Sequence, residues 1–352
     1  MTAFALYRLP RENSFTLVAQ TEGNPMKLMS LSELNGRSGF VVAPFAISPD
    51  HPLLLIRNNI VERHGLSDTL ELPCTLLHQA TDDSSHKTYA IDFANYHSRL
   101  LSGNFQKIVL ARSSEILANS SCQPYELFKE ACRRYPRMFI CLVSTPISGT
   151  WLTATPEILL SGKDSSWHTM ALAGTMKLEG SQLAFDTNTP QVDLNIAWTD
   201  KNIQEQRYVA TYMTECLERF TTDFRECGPY TVRAGNLVHL RSDFRFSLPD
   251  ECHLGDILQT LHPTPAVCGL PKHDAFKFIC ENEHTPRRYY SGFMGPLRMS
   301  ETHLYVSLRC MQLLSNRYQL YAGGGLLSDS SEEQEWLETE AKMETMRNLI
   351  II

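Results

Sequence analysis

The sequence has no run of eighteen apolar residues, which excludes a helix able to span a membrane. It has no basic block, and its formal net charge of −7 excludes a surface built for nucleic acid. None of the ten cysteines forms a CxxC pair or sits near histidine at zinc-finger spacing, so neither a zinc framework nor a redox pair is expected. Several lie in apolar stretches such as Phe139-Ile140-Cys141-Leu142-Val143, where cysteine acts as a small hydrophobe. Free, buried thiols of a reducing compartment are the expectation. The N-terminus carries charge too early for a signal peptide, which leaves the cytoplasm as the default location. Repeats and low-complexity tracts are missing as well. Only the polar stretch TDDSSHKT at 81–88 marks a break, and it is short for a linker.

What remains is an ordinary globular composition, 43% hydrophobic and 20% charged over 352 residues. Length alone suggests two domains. Strand-like stretches occur at 107–111, 138–144, 150–153, 157–161, 303–308 and 318–322. Two segments read as helices. From Thr199 to Phe220, the residues Val209, Tyr212, Met213, Cys216, Leu217 and Phe220 recur every three or four positions and make an apolar stripe. Lys201, Glu205, Tyr208 and Tyr212 lie on a neighbouring face. From Glu332 to Asn348, a Ser331-x-x-Gln334 capping pattern opens a helix whose Glu335, Glu338 and Lys342 share one face. Strands and helices mix without regular βαβ alternation, so the expected class is α+β and not a doubly wound sheet.

A negatively charged chain that takes an anion needs a local device to overcome repulsion, and several residues could supply one. Tyr321-Ala322-Gly323-Gly324-Gly325 ends a strand in three glycines, either a turn or a place where backbone approaches a ligand. No GKS or GKT follows, so it is not a P-loop. The Glu335/Glu338/Lys342 face is either solvated surface or a site. Arg309 follows an apolar strand, which suits a two-point clamp on a carboxylate or a structural ion pair. Lys107, inside FQKIVLAR, is either a desolvated base with a lowered pKa or an edge-strand charge against aggregation. His262-Pro263-Thr264-Pro265 is stiff, as a site wall or a connector would be.

Taken together, the segments resemble the chorismate-utilising enzymes, the family of isochorismate synthase, salicylate synthase, anthranilate synthase component I and aminodeoxychorismate synthase component I. The matching pieces, in order, begin with FQKIVLAR (105–112), TATPEILL (153–160), ALAGT (171–175), TDKNIQEQRYV (199–209) and LVHL (237–240). LHPTPAVCGLP (261–271), RRYYSGFMG (287–295), VSLRC (306–310), YAGGG (321–325) and EWLETEAKMETM (335–346) follow. The resemblance runs from about residue 90 to the C-terminus, and the first 90 or so residues match loosely.

This resemblance implies one large two-halved α/β sandwich domain with its site in a cleft between the halves, in place of two domains. It implies that Glu205 and Glu338 hold Mg²⁺ against the ring carboxylate of chorismate, with Glu335 behind them. Arg309 and the backbone of Gly323 take the enolpyruvyl carboxylate with Lys342 nearby, while Gly174, Thr175, His239, Ala266 and Val267 complete the substrate site. Lys107 stands where water-using members carry their base, and Ala173 where aminodeoxychorismate synthases carry a nucleophilic lysine. Both point to water. The implied reaction is isomerisation of chorismate to isochorismate, with Lys107 activating water at C2 and Glu157 protonating the departing C4 hydroxyl. Isochorismate would feed menaquinone or siderophore biosynthesis. The alternatives are a salicylate synthase, which goes on to eliminate pyruvate, and a non-catalytic chorismate-binding protein. Gln206 and Pro286 depart from the family pattern, outside the groups that meet substrate. A monomer without nucleic-acid or membrane partners is expected.

Overall fold

The computed structural model describes residues 1–78, 85–118, 123–178, 197–234, 237–248 and 253–350. Residues 81–84, half of the 81–88 break, therefore lie outside the described residues, as do Cys122 and Cys252. Among the described residues there are six α-helices: α1 (His86–Leu101), α2 (Pro124–Arg134), α3 (Asp200–Leu217), α4 (Leu254–Leu261), α5 (Lys272–Asn282) and α6 (Glu332–Ile350). The two helices read from the sequence are α3 and α6. The Thr199 side chain caps α3 by accepting from Asn202 N at 3.2 Å, and its stripe of Val209, Met213, Cys216 and Leu217 is buried. The helix ends at Leu217 and not Phe220, which follows in a turn and packs on the same core. Each buried aliphatic of the stripe contributes roughly 2 kcal/mol by leaving water. The eight described cysteines are free.

The described strands make two antiparallel sheets of nine strands each. In the first, Gly269–Leu270, Lys107–Leu117, Arg317–Leu326, Cys310–Leu313, Gly149–Thr155, Phe139–Thr145, Ala3–Arg8, Ser14–Gln20 and Ile60–Gly65 lie side by side. In the second the order is Phe224–Ala234, Leu237–Ser247, Ser166–Lys177, Ile158–Lys163, Thr302–Val306, Phe293–Leu297, Gly39–Ala43, Leu53–Ile56 and Met26–Leu28. The sheets face one another over an aromatic layer in which Phe139 of the first stacks on Tyr305 of the second, with ring centroids 4.3 Å apart. Helices cover the outer faces: α3 and α4 pack on the second sheet, α2 and α6 on the first. This is the expected α+β sandwich. Strands from the first 65 residues stand in both sheets, so that segment is built into the same layers as the rest.

The sheets are joined where two neighbouring chains change sheet together. Gly149–Thr155 leaves the first sheet through Pro156 and Glu157 and enters the second as Ile158–Lys163. Alongside, Thr302–Val306 leaves the second through Ser307, Leu308 and Arg309 and enters the first as Cys310–Leu313. Pairing continues through the bend: Val306 N donates to Glu157 O at 3.0 Å, and Ala154 N to Arg309 O at 3.1 Å. Two expectations are corrected here. Glu157 does not begin a strand, and Arg309 does not continue one; both occupy the bend, Arg309 with a left-handed φ of 43°. The apolar run through Tyr305, Val306 and Leu308 reads as one strand because a chain buried on both faces shows no periodic break where it switches sheets.

A buried ion pair ties the wall of the inter-sheet space to the strand Lys107–Leu117. Arg287 meets both carboxylate oxygens of Glu283 at 2.5 and 2.6 Å, and donates to Val267 O at 2.6 Å and Val109 O at 2.8 Å. Glu283 in turn accepts from Ala111 N at 2.8 Å. Each guanidinium nitrogen and each carboxylate oxygen of the pair has a partner, which lets it persist without water. Arg287→Met should cost about 3–5 kcal/mol in urea unfolding, because it strands a buried carboxylate. The double change Arg287→Met/Glu283→Met should be milder than the single one.

Candidate active site

A partly open cavity of about 60 Å³ lies between the sheets, against the double bend. Ten of the sequence-derived site residues line it: Glu157, Gly174, Thr175, Glu205, His239, Ala266, Val267, Arg309, Gly323 and Lys342. Lys107, Glu335 and Glu338 are not in its wall but one layer behind. They still belong to the same charge cluster, as the contacts below show.

The strand Arg317–Leu326 explains why three glycines stand together. They are not a turn; they lie inside the strand, and side chains alternate across it. Tyr321, Gly323 and Gly325 face the cavity, whereas Gly324 faces α6. A Cβ on Gly325 would fall 2.2 Å from Glu205 Oε1 and 2.8 Å from Lys107 Cε; on Gly324 it would fall 2.7 Å from Glu335 Oε2. The missing side chains are the space into which the charged groups fit.

Lys107 has no exposed surface, and its ammonium lies 3.0 Å from Glu205 Oε1, a close ion pair without a well-aligned hydrogen bond. The edge-charge reading fails, because the two-residue strand Gly269–Leu270 covers the outer side of Lys107. Glu205 Oε2 accepts from Gly174 N at 3.2 Å. Burial pushes the Glu205 carboxyl up, but Lys107, Lys342 and Lys201 outweigh it and hold it below the usual carboxylate range. On α6, Lys342 donates to Glu338 Oε1 at 2.7 Å and to Gly323 O at 2.8 Å. Lys201 of α3 is ion-paired with Glu335, which also accepts from Ser330 Oγ at 2.8 Å. Burial, then repulsion from Glu338, pushes Glu335 up to about 7.

Glu157 behaves differently. It is 2% exposed and no side-chain partner neutralises it at contact distance, so burial pushes its pKa up to about 8 against the pull of Lys107, Arg309 and Lys342. At neutral pH it is a carboxylic acid. Arg309 is equally buried, and burial lowers it to about 10 while Glu157 pulls it back up. Arg309 Nη2 contacts His239 Nε2, and Nη1 has no hydrogen-bond partner among the described residues. His239 is held neutral by burial and by the Arg309 and Lys342 charges. Its Nδ1 donates to Gly174 O at 3.2 Å, which leaves Nε2 to accept from Arg309.

Lys107, Lys201, Arg309 and Lys342 share this cluster with Glu157, Glu205, Glu335 and Glu338, of which Glu157 is held protonated and Glu205 ionised. The unsatisfied Arg309 Nη1 makes it a seat for an anion in a chain of net charge −7. For a cation, the fit rests on hard oxygen donors from two helices and on Glu335 Oε2, which is buried and unpartnered beside Gly324. Among the described residues no three such donors yet converge on one point.

Sequence reasoning missed Tyr290, Tyr321, Val109, Leu172, Leu308 and Gly325, which also line the cavity. Tyr321 and Gly325 follow from period-two alternation about Gly323. Ala173 lines the cavity too, as its place in ALAGT implied. Gln206 faces away, donating to Ser242 Oγ at 2.9 Å, and Pro286 precedes the structural Arg287 without reaching the cavity.

The family model described as chorismate binding enzyme matches residues 35–351, nearly the whole chain. The chain belongs to that family. The match begins well before residue 90, where the resemblance of the motifs begins, and so takes in the strands Gly39–Ala43 and Leu53–Ile56 of the second sheet and Ile60–Gly65 of the first. Isochorismate synthase MenF of Escherichia coli is 28% identical over 78% of this chain and 62% of its own length. The chain thus spans under two thirds of that relative. The solved structure of the menaquinone-specific isochorismate synthase from Escherichia coli superposes with a TM-score of 0.79 at 22% identity, covering 99% of this chain and 88% of that one. Anthranilate synthase component I from Streptococcus pneumoniae follows at 0.69 and 15%, covering 98% and 90%. These two likenesses are of fold, which enzymes of different chemistry share.

Glu157 gives a pH test independent of turnover. Below about pH 4.5 it is protonated folded or unfolded; between 4.5 and 8 only the unfolded chain ionises, so stability falls as pH rises, and above 8 the loss is complete. Glu157→Gln cannot ionise. The Tm difference should therefore move in favour of Glu157→Gln from pH 5 to about 8 and then level off. A difference that does not vary with pH would show that Glu157 is ionised in the folded protein.

Proposed function

We propose that the protein isomerises chorismate to isochorismate, adding water at C2 and losing the C4 hydroxyl, with Mg²⁺ as its cofactor. The observation that carries this reading is Glu157: a carboxylic acid kept protonated at neutral pH, in one charge cluster with the buried amine of Lys107. A displacement of hydroxide by water needs a proton acceptor at one end and a donor at the other. Lys107, in its neutral amine form, takes the proton of the incoming water, and Glu157 gives its proton to the departing hydroxyl while the ring double bonds shift. Proton exchange afterwards restores both groups, and no redox step is involved.

Arg309, with one guanidinium nitrogen unsatisfied, takes the enolpyruvyl carboxylate together with the Gly323 backbone, and Lys342 adds charge beside it. Glu205 and Glu338 hold Mg²⁺, and Glu335, fixed by Lys201 and Ser330, backs them. When bound, the metal supplies positive charge for the substrate's ring carboxylate. Ala173 offers no nucleophile, so water and not a lysine attacks. Gly174 and Thr175, with His239 locked in its neutral form, and Ala266 with Val267 on the loop that Arg287 holds, complete the pocket. The relatives named isochorismate synthase support the same reaction. The product would supply menaquinone or siderophore synthesis. The reading takes the chain as one domain, since both sheets draw strands from its beginning and its end. It also takes the chain as a cytoplasmic monomer without nucleic-acid or membrane partners. None of the described helices is long and apolar enough to cross a membrane.

Incubation with chorismate and Mg²⁺ should yield isochorismate and no pyruvate, and chelator should stop turnover reversibly. Glu205→Gln and Glu338→Gln should each lower kcat by about 100-fold or more in folded protein, and Glu205→Gln should also lower the Tm because it leaves the buried Lys107 without its ion-pair partner. Pyruvate release would make the protein a salicylate synthase. Chorismate binding without any turnover would make it a binding protein.

A further inference from the structure

Six non-glycine residues among those described have a left-handed φ, and four of them lie between 288 and 309. Arg288 is one, at φ 52°. It holds the second position of a tight turn closed by Tyr290 N donating to Arg287 O at 2.9 Å. Glycine takes that conformation without strain, whereas a long side chain pays for it in steric conflict. The surroundings force the issue: Arg287 on one side is fixed by Glu283, Val267 and Val109, and Tyr289 on the other is buried with its hydroxyl donating to Pro52 O at 3.0 Å. An arginine kept where glycine fits better calls for a use of its side chain.

That use is visible. Arg288 Nη1 donates to the hydroxyl of Tyr321 at 2.6 Å. Tyr321 is 1% exposed, lines the cavity, and is the last bulky residue on that face of its strand before Gly323 and Gly325 open the space. Its ring lies between Tyr290 and Trp151, at centroid distances of 5.6 and 5.5 Å. Stacking fixes the plane of the ring but resists sliding weakly; the hydrogen bond at its tip fixes where it stops.

We propose that Arg288 is a positioning residue for substrate binding: its strained backbone places the guanidinium on the Tyr321 hydroxyl and so sets the wall of the catalytic cavity. Arg288 itself does not line the cavity. The inference rests on the proposed reading of the cavity as a chorismate site, because the wall is defined by what it must fit.

The test compares Arg288→Gly, Arg288→Lys and Tyr321→Phe with wild type in chorismate turnover, thermal unfolding and near-ultraviolet circular dichroism. Arg288→Gly should raise KM about tenfold with kcat within about twofold, since uniform binding and not transition-state chemistry is lost. Its Tm should equal or exceed that of wild type, because the left-handed strain is relieved, and the aromatic circular dichroism of the stacked rings should change. Tyr321→Phe should reproduce the KM effect, and the double variant should be no worse than the poorer single one. Arg288→Lys should recover part of the loss. Unchanged KM and unchanged aromatic signal in Arg288→Gly would overturn the proposal. So would a lowered Tm with kcat falling alongside, the signature of a merely structural arginine. Wild-type protein that does not turn over chorismate would defeat the functional reading instead. The aromatic signal and Tm would then judge Arg288 alone.

Discussion

Two chains that cross from one sheet to the other side by side place polar backbone in the driest part of the molecule. The bend is possible only because pairing never lapses: Val306 N still finds Glu157 O, and Ala154 N finds Arg309 O. The price is a left-handed Arg309, and the return is position. An acid and a guanidinium are delivered to the same cavity on backbone that both sheets hold, more rigidly than a surface loop could hold them. The other elements arrange themselves about that bend. The glycine-bearing strand lies along one side, and α3 and α6 bring their carboxylates and lysines over the top.

Desolvation then assigns the roles. Glu205 and Glu157 are carboxyl groups of one cluster, yet one is held ionised and the other protonated. Glu205 has Lys107 at 3.0 Å and a backbone N–H, so attraction outweighs burial. Glu157 meets the same cations only at longer range, and burial wins. One environment thus produces a ligand-type carboxylate and an acid without any difference in residue type. The same reasoning explains the unsatisfied nitrogen of Arg309, a cost that an anionic ligand would remove.

Much of this was legible in the sequence. The stripe of α3 and the shared face of α6 follow from helical periodicity, and the motif order identified the family and ten cavity residues. What stayed hidden depends on partners remote in sequence. Nothing local says that Glu157 and Arg309 leave their strands, because apolar residues run on through the bend. Residue chemistry alone left Gly323-Gly324-Gly325 open between a turn and a ligand approach; that each missing Cβ makes room for a particular carboxylate, lysine or tyrosine appears only once α3 and α6 are in place. Lys107 could be an edge charge until a strand of two residues, too short to show a pattern, closes over it. The strands of the first 65 residues, three to seven residues long, carry little periodic signal of their own.

The central claim is that this cluster activates water at one ring carbon while its acid expels hydroxide from another. Turnover in ¹⁸O-labelled water, followed by mass spectrometry of the product at low conversion, tests it directly. The account predicts isochorismate carrying one solvent oxygen, at the C2 hydroxyl. Isochorismate whose C2 oxygen comes from the substrate, or no isochorismate at all, would contradict it.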